Sequence, residues 1–341
     1  MSDFLNVDDD RSLKKVFSRI GLGYFVFLVI YVGGSILIDV ILDKNGIKEV
    51  NSWANYFLSM LPLWFIGFPV CLLILKKLPK STPEQHDVKP FTLAKTYLAL
   101  TSVMILGNII GTVISFVIGH LAGGKLSNTT MDMIAKQQVL PTIVFAVIFG
   151  PIMEELAFRK VLLDVAGKYS KKYAIILSGV MFGLFHLNLF QFFYAAALGM
   201  AFAYIYLESG KVRYTICLHC LVNFIHGVIP VIILKHLDLD SIQSVSLGSD
   251  YTDPEVQRKV LALYSNPAFL FLGLYGMMIF AFIILGIIIF FTHYKKINLD
   301  NTGALIQKEN AIPVIYKNVG MILFLLGTIG VGIYEIMLQL K

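Results

Sequence analysis

Long apolar runs separated by short polar segments set the plan of this chain. Nine runs of membrane-scale length are predicted at 20–42, 54–75, 96–121, 139–166, 172–188, 190–208, 212–235, 267–292 and 317–338. At 1.5 Å of rise per residue each is long enough to cross a bilayer core, except that the fifth and sixth are short. The segment His186–Phe190 joins those two, which predicts a tight hairpin. The expected fold is therefore all-α, a polytopic transmembrane helix bundle of eight to nine spans. Polar linkers are expected at Pro79–Pro90, Asp238–Pro267 and Asn298–Pro313. They suggest three parts: N-terminal spans in 1–138, a core in 139–235, and an outer loop with C-terminal spans in 236–341. In the third span Gly107, Gly111, Ser115, Gly119 and Gly123 recur every four residues, a small-residue stripe that lets a neighbouring helix approach closely.

Composition agrees with this plan. The chain is 57% apolar and 15% charged, against about 25% charged in soluble domains, and its mean hydropathy is +0.76. The net charge of +6 does not require nucleic acid as a partner. With the N-terminus inside, twenty of the 28 Lys and Arg residues fall in cytoplasmic segments, the bias expected of a multi-pass cell-membrane protein. Merging the fifth and sixth spans would reverse every later segment. The acidic N-terminal stretch shows no basic-then-apolar signal pattern. Cys71, Cys217 and Cys220 all lie in apolar runs and read as free thiols. Cys217 and Cys220 form a C-x-x-C, but no βαβ pattern supports a redox role and no second pair supports a zinc site. The acidic cluster Asp238, Asp240, Asp250, Asp253 and Glu255 reads as a solvated outer surface.

One stretch breaks the apolar pattern. Pro151–Arg159 reads P-I-M-E-E-L-A-F-R and follows a run, 139–152, without any charge. Ionisable groups at membrane depth are costly and point to function. Glu155 and Arg159 are four residues apart, so they share a helix face and can pair. Glu154 points about 100° away and has no partner in its own helix. The fifth span carries Phe182 and His186. The seventh carries His219, Asn223 and His226 at i, i+4 and i+7 of one face. Ideal helices put Glu154 ~18 Å, His186 ~21 Å and His219 ~12 Å from the cytoplasmic ends of their spans, close enough in depth to surround one cavity. Buried imidazoles and amides need partners, and Glu154, His186, His219 and Asn223 are the natural candidates for one another. His226 shares the His219 face and is a candidate to line the same site. The plainer alternative is a set of interhelical hydrogen bonds.

In order, E-E-x-x-x-R at 154–159, F-x-x-x-H at 182–186 and H-x-x-x-N at 219–223 resemble the three signature motifs of the CPBP (Abi) family, which comprises type II CAAX prenyl endopeptidases and bacteriocin-processing or immunity proteins. The resemblance covers roughly residues 139–235, and no signature position departs from the pattern. It implies that Glu154 is the catalytic carboxylate, His186 its partner in activating water, and His219 with Asn223 the oxyanion-stabilising pair. Glu155, Arg159 and Phe182 would be supporting. The expected activity is a membrane-embedded endopeptidase acting on a peptide or protein at the bilayer, with no cofactor favoured. A zinc-dependent hydrolase using Glu154, His186 and His219 is the first alternative. A non-proteolytic immunity or scaffold protein on the same fold is the second. A transporter is disfavoured, because no paired broken helices occur in matching halves. Neither H-E-x-x-H, nor G-x-S-x-G, nor paired G-x-G-D occurs. Oligomeric state is left open by the sequence.

Overall fold

The computed structural model describes residues 10–237, 251–299 and 305–340, and the described secondary structure is helical throughout. Nine long helices correspond to the nine apolar runs: α1 (Asp10–Lys44), α2 (Ser52–Leu75), α3 (Pro90–Leu121), α4 (Val139–Ala166), α5 (Lys171–Phe185), α6 (Leu189–Ser209), α7 (Val212–Lys235), α8 (Pro267–His293) and α9 (Val319–Gln339). By length and composition all but α5 can cross a bilayer, and α5 has only 15 residues. Hydrogen bonds between loops fix an up-and-down order. At the end where α1 begins, Ser81 N–H donates to the Asp164 carbonyl, His86 N–H to Ser209 and Leu305 N–H to Tyr169. At the opposite end, Ser127 N–H donates to Gln339 and the Asn188 amide to Asn128. The chain is thus a multi-pass membrane bundle, and α5 makes its traverse despite its length.

Two expectations change in detail. The first helix starts at Asp10, ten residues before the apolar run, because Leu13, Val16 and Phe17 are buried and Phe17 meets Tyr169 edge-on at 6.1 Å. The segment expected as a polar linker at 298–313 sends Ile306 into the core and leads to a short helix, Ala311–Ile315, whose Val314 and Ile315 are buried. Residues Asp238, Asp240 and Asp250 of the acidic loop, and residues 1–9, lie outside the described residues. Asp253 caps the helix Pro254–Ser265 by accepting from Glu255 N–H at 2.8 Å.

In lipid the hydrophobic effect does not hold one apolar helix to another, so close packing must. Two features provide it. An aromatic core runs through α1, α4, α5 and α9, with Tyr24, Phe27, Phe158, Phe182, Phe185 and Phe324 in mutual contact. Small residues supply close helix approach: a Cβ on Gly107 or Gly111 of α3 would collide with α6 backbone at Tyr194 or Phe190. The stripe is therefore a seam against α6 at Gly107 and Gly111, whereas Gly119 meets the loop at Gly124 and Leu126 and Gly123 has no neighbour within 4 Å. Cys71 is buried, Cys217 faces outward, and all three cysteines are free thiols.

Several spans are not uniform α-helix. Widened π-helical turns occupy Leu61–Gly67, Ile143–Phe149 and Asn223–Val228, and each ends two residues before a proline: Pro69, Pro151 and Pro230. Proline removes one donor and its ring crowds the carbonyl four residues back, so a widened turn relieves the crowding. The fourth such turn, Leu156–Val161, has no proline. It holds Arg159 and directly follows Glu154 and Glu155.

Candidate active site

That fourth turn is held by side chains from other helices. Leu162 N–H reaches back five residues to the Ala157 carbonyl, which also accepts from the Tyr24 hydroxyl of α1 at 2.6 Å. The next carbonyl, Phe158, accepts from the Ser178 hydroxyl of α5 at 2.9 Å. Buried hydroxyls thus stabilise the wider backbone at the position where the charged residues emerge.

The two carboxylates just before this turn enter different surroundings. Glu155 is fully buried. One oxygen lies 3.0 Å from Arg159 Nε, and the other accepts from His219 Nδ1–H at 3.0 Å. The Glu155–Arg159 contact has ion-pair distance without hydrogen-bond alignment, so Arg159 Nε and Nη2 lack a hydrogen-bond acceptor. The guanidinium lies over the Phe182 ring at 4.4 Å and near Phe202 at 5.6 Å, where the ring faces attract the cation. Glu154 is different: its side chain is 27% exposed, and its Oε2 lies 3.5 Å from His219 Nε2. His219 therefore bridges the two carboxylates through its two ring nitrogens.

The remaining candidates reach the site by other routes. His186 ends α5, and its Nδ1–H donates to the Phe182 carbonyl at 2.8 Å, which leaves the lone pair on Nε2. Phe182 meets His186 edge-on at 4.7 Å and His219 at 5.8 Å, so this one ring ties the two imidazoles and Arg159 together. Asn223 opens the widened turn of α7 and donates from Nδ2 to the Ala146 carbonyl at 2.9 Å, within the widened turn of α4. His186 and Asn223 thus take backbone carbonyls as partners rather than each other or Glu154. His226 turns away to α3, where its Nε2 meets the Tyr97 hydroxyl at 3.1 Å and Thr101 at 3.4 Å. It does not join the cluster.

Zinc requires three or four convergent donors. Among the described residues no three His, Cys, Asp or Glu side chains are grouped to hold an ion.

The all-α membrane bundle thus holds a buried Glu–Arg pair, a second and partly exposed glutamate, and two imidazoles around one phenylalanine ring. Comparison narrows the class. Residues 136–225 match the family described as Type II CAAX prenyl endopeptidase Rce1-like. Over 203 residues the chain is 28% identical to YdiL of Bacillus subtilis (strain 168), named as a candidate membrane peptidase; the match covers 57% of this chain and 75% of that protein. No solved structure matches. Over the stretch that carries the three motifs, the chain is thus similar to membrane proteases of the CPBP (Abi) type.

Proposed function

We propose that this protein is a multi-pass cell-membrane endopeptidase, with its N-terminus cytoplasmic, that cleaves a membrane-associated peptide by water activated at Glu154 and His186. The observation that carries this reading is the unequal environment of two adjacent carboxylates. Glu155 is consumed by Arg159 and His219, whereas Glu154 is partly exposed and lies 3.5 Å from His219 Nε2. Glu154 takes a proton from water as the oxygen attacks the peptide carbonyl carbon, and returns it to the departing amine. His186, whose Nδ1 is turned to the Phe182 carbonyl at 2.8 Å, presents Nε2 to the water and orients it. The carbonyl oxygen becomes negative and needs donors. One N–H of Asn223 holds Ala146 and the second is available, and His219 Nε2, 3.5 Å from Glu154, is the other group beside the reacting oxygen.

No metal is assigned a step. Retention of cleavage by metal-free protein in strong chelator is the expected result, and loss of activity restored only by zinc would overturn the metal-free mechanism. The main test is Glu154→Gln, which keeps the size and removes the base. It should abolish hydrolysis of a quenched peptide in liposomes with insertion and melting unchanged; wild-type turnover would remove Glu154 from the mechanism.

A further inference from the structure

The two ends of the bundle differ in how they cover the site. At the end where α1 begins, residues 79–89 lie across the ends of α4, α6 and α7. Ser81 N–H donates to the Asp164 carbonyl at 2.7 Å, His86 N–H to Ser209 at 2.8 Å, and Val88 N–H to the Tyr214 hydroxyl at 3.1 Å. Asp87 meets Lys211 at 2.6 Å and Arg213 at 2.8 Å. Gly210, at a left-handed φ of 64°, approaches the Pro83 and Glu84 carbonyls so closely that a Cβ would clash. This end is strapped shut.

The opposite end is open to His186. A cavity of about 200 Å³ lies there, and His186 is part of its wall. At about 30 Å³ per water, it has room for roughly six waters or one long side chain. Its lining is polar for membrane depth and includes Thr129, Thr130, Asn188, Glu335 and Gln339. Glu335 of α9 is the sole charged residue in that lining and has no ion-pair or hydrogen-bond partner among the described residues. Gln339 is already engaged, its Oε1 accepting from Ser127 N–H at 2.8 Å. Between His186 and Asn188, Leu187 adopts φ 56°, a left-handed conformation costly for a leucine. That strained turn places both neighbours in the cavity wall, and such strain concentrates at functional sites.

From this asymmetry we infer that the peptide approaches through this cavity, from the face opposite the N-terminus, and that Glu335 receives a cationic nitrogen close to the scissile bond. The inference rests on the peptidase reading above. Lysine or arginine side chains and a free N-terminal amine share the required chemistry: a positive donor that neutralises an unpaired carboxylate in a partly desolvated pocket.

Two measurements test it. In proteoliposomes, quenched peptides that differ at one position as Lys, norleucine or Glu would be compared, with free and acetylated N-termini as separate arms to distinguish side chain from terminal amine. In the wild type the Lys or free-amine peptide should be preferred. Glu335→Gln should lower the preference over the neutral acetylated peptide by about five-fold, the scale of a partly exposed ion pair, and Glu335→Lys should shift it toward the Glu peptide. An unchanged ratio in both variants overturns the subsite. The second measurement needs no turnover. Gly332 also lines the cavity and has room for a side chain, its nearest neighbour to an added Cβ being the Leu187 carbonyl at 3.8 Å. With Cys71, Cys217 and Cys220 replaced and Glu154→Gln present, Gly332→Cys should react with an impermeant maleimide only from the face opposite an N-terminal tag. The Lys peptide should protect it. Labelling from the tagged face, or no protection, overturns the access route. Turnover by the Glu154→Gln protein would instead count against the peptidase mechanism, and the labelling result would stand apart from it.

Discussion

At the scale of single residues, two adjacent glutamates carry different burdens. Glu155 and Arg159 are both fully buried, so removing either leaves a charge without its partner at depth. Glu155→Gln or Arg159→Gln should each destabilise the protein by about 3–5 kcal/mol, the cost of an uncompensated buried charge. The double variant should lose less than the sum, because it removes both charges together. Melting in one detergent checks this, and strict additivity would mean that the 3.0 Å contact carries no coupling. Asn223 and His226 make a second contrast. Asn223→Ala should lower kcat by about 10²–10³, the usual cost of one oxyanion donor, with little change in substrate affinity. His226→Ala removes hydrogen bonds to Tyr97 and Thr101 and should cost about 1 kcal/mol of stability while kcat stays within a few-fold. The reverse pattern would put the wrong end of α7 at the site.

At the scale of elements, the sequence reveals what repeats along one helix and conceals what two helices exchange. The nine apolar runs predict the nine helices because hydrocarbon forces every backbone group to be satisfied within its own segment. The Glu155–Arg159 pairing is likewise legible from an i, i+4 spacing. The prolines at 69, 151 and 230 mark three of the widened turns. Nothing in residues 156–161 marks the fourth, because its support comes from Tyr24, 133 positions from the Ala157 carbonyl it binds, and from Ser178. The same distance hides the Asn223–Ala146 bond and the rotation of His226 toward α3. Partner choice among buried polar groups depends on helix rotation, which a single sequence does not fix. If the two hydroxyls hold the turn that aims Glu154 and Glu155, Tyr24→Phe and Ser178→Ala should each cost about 0.5–1.5 kcal/mol. Combined, they should lower kcat more than the product of the single effects, since the turn would then lose both supports. Multiplicative losses would show that the turn keeps its shape without them.

At the scale of the whole molecule, the strap at 79–89 decides which face of the bundle meets its surroundings, and its chief polar clasp is titratable. Asp87 accepts from Lys211 and Tyr214 and faces Arg213; the hydrogen bond from Lys211 leads the effects that lower its pKa to about 2 from the ordinary 3.8. The folded value lies below the unfolded one. The clasp therefore favours the closed strap fully above the ordinary carboxylate value and loses that contribution as pH falls through about 2. A spin label at the exposed Gln85→Cys, in protein free of its other cysteines, reads the strap directly. The label should stay immobile from neutral pH to about 4 and become mobile on acidification toward 2, with high salt weakening the clasp because Asp87 is exposed. Asp87→Asn should leave the label mobile at neutral pH and remove the acid transition. It should also speed tryptic cleavage at Lys80–Ser81 in vesicles that present the N-terminal face outward, and not in vesicles of the other orientation. A label that is equally immobile in both proteins would mean that the backbone bonds of Ser81, His86 and Val88 close the strap without Asp87. Cleavage from both faces would contradict the up-and-down order of the helices.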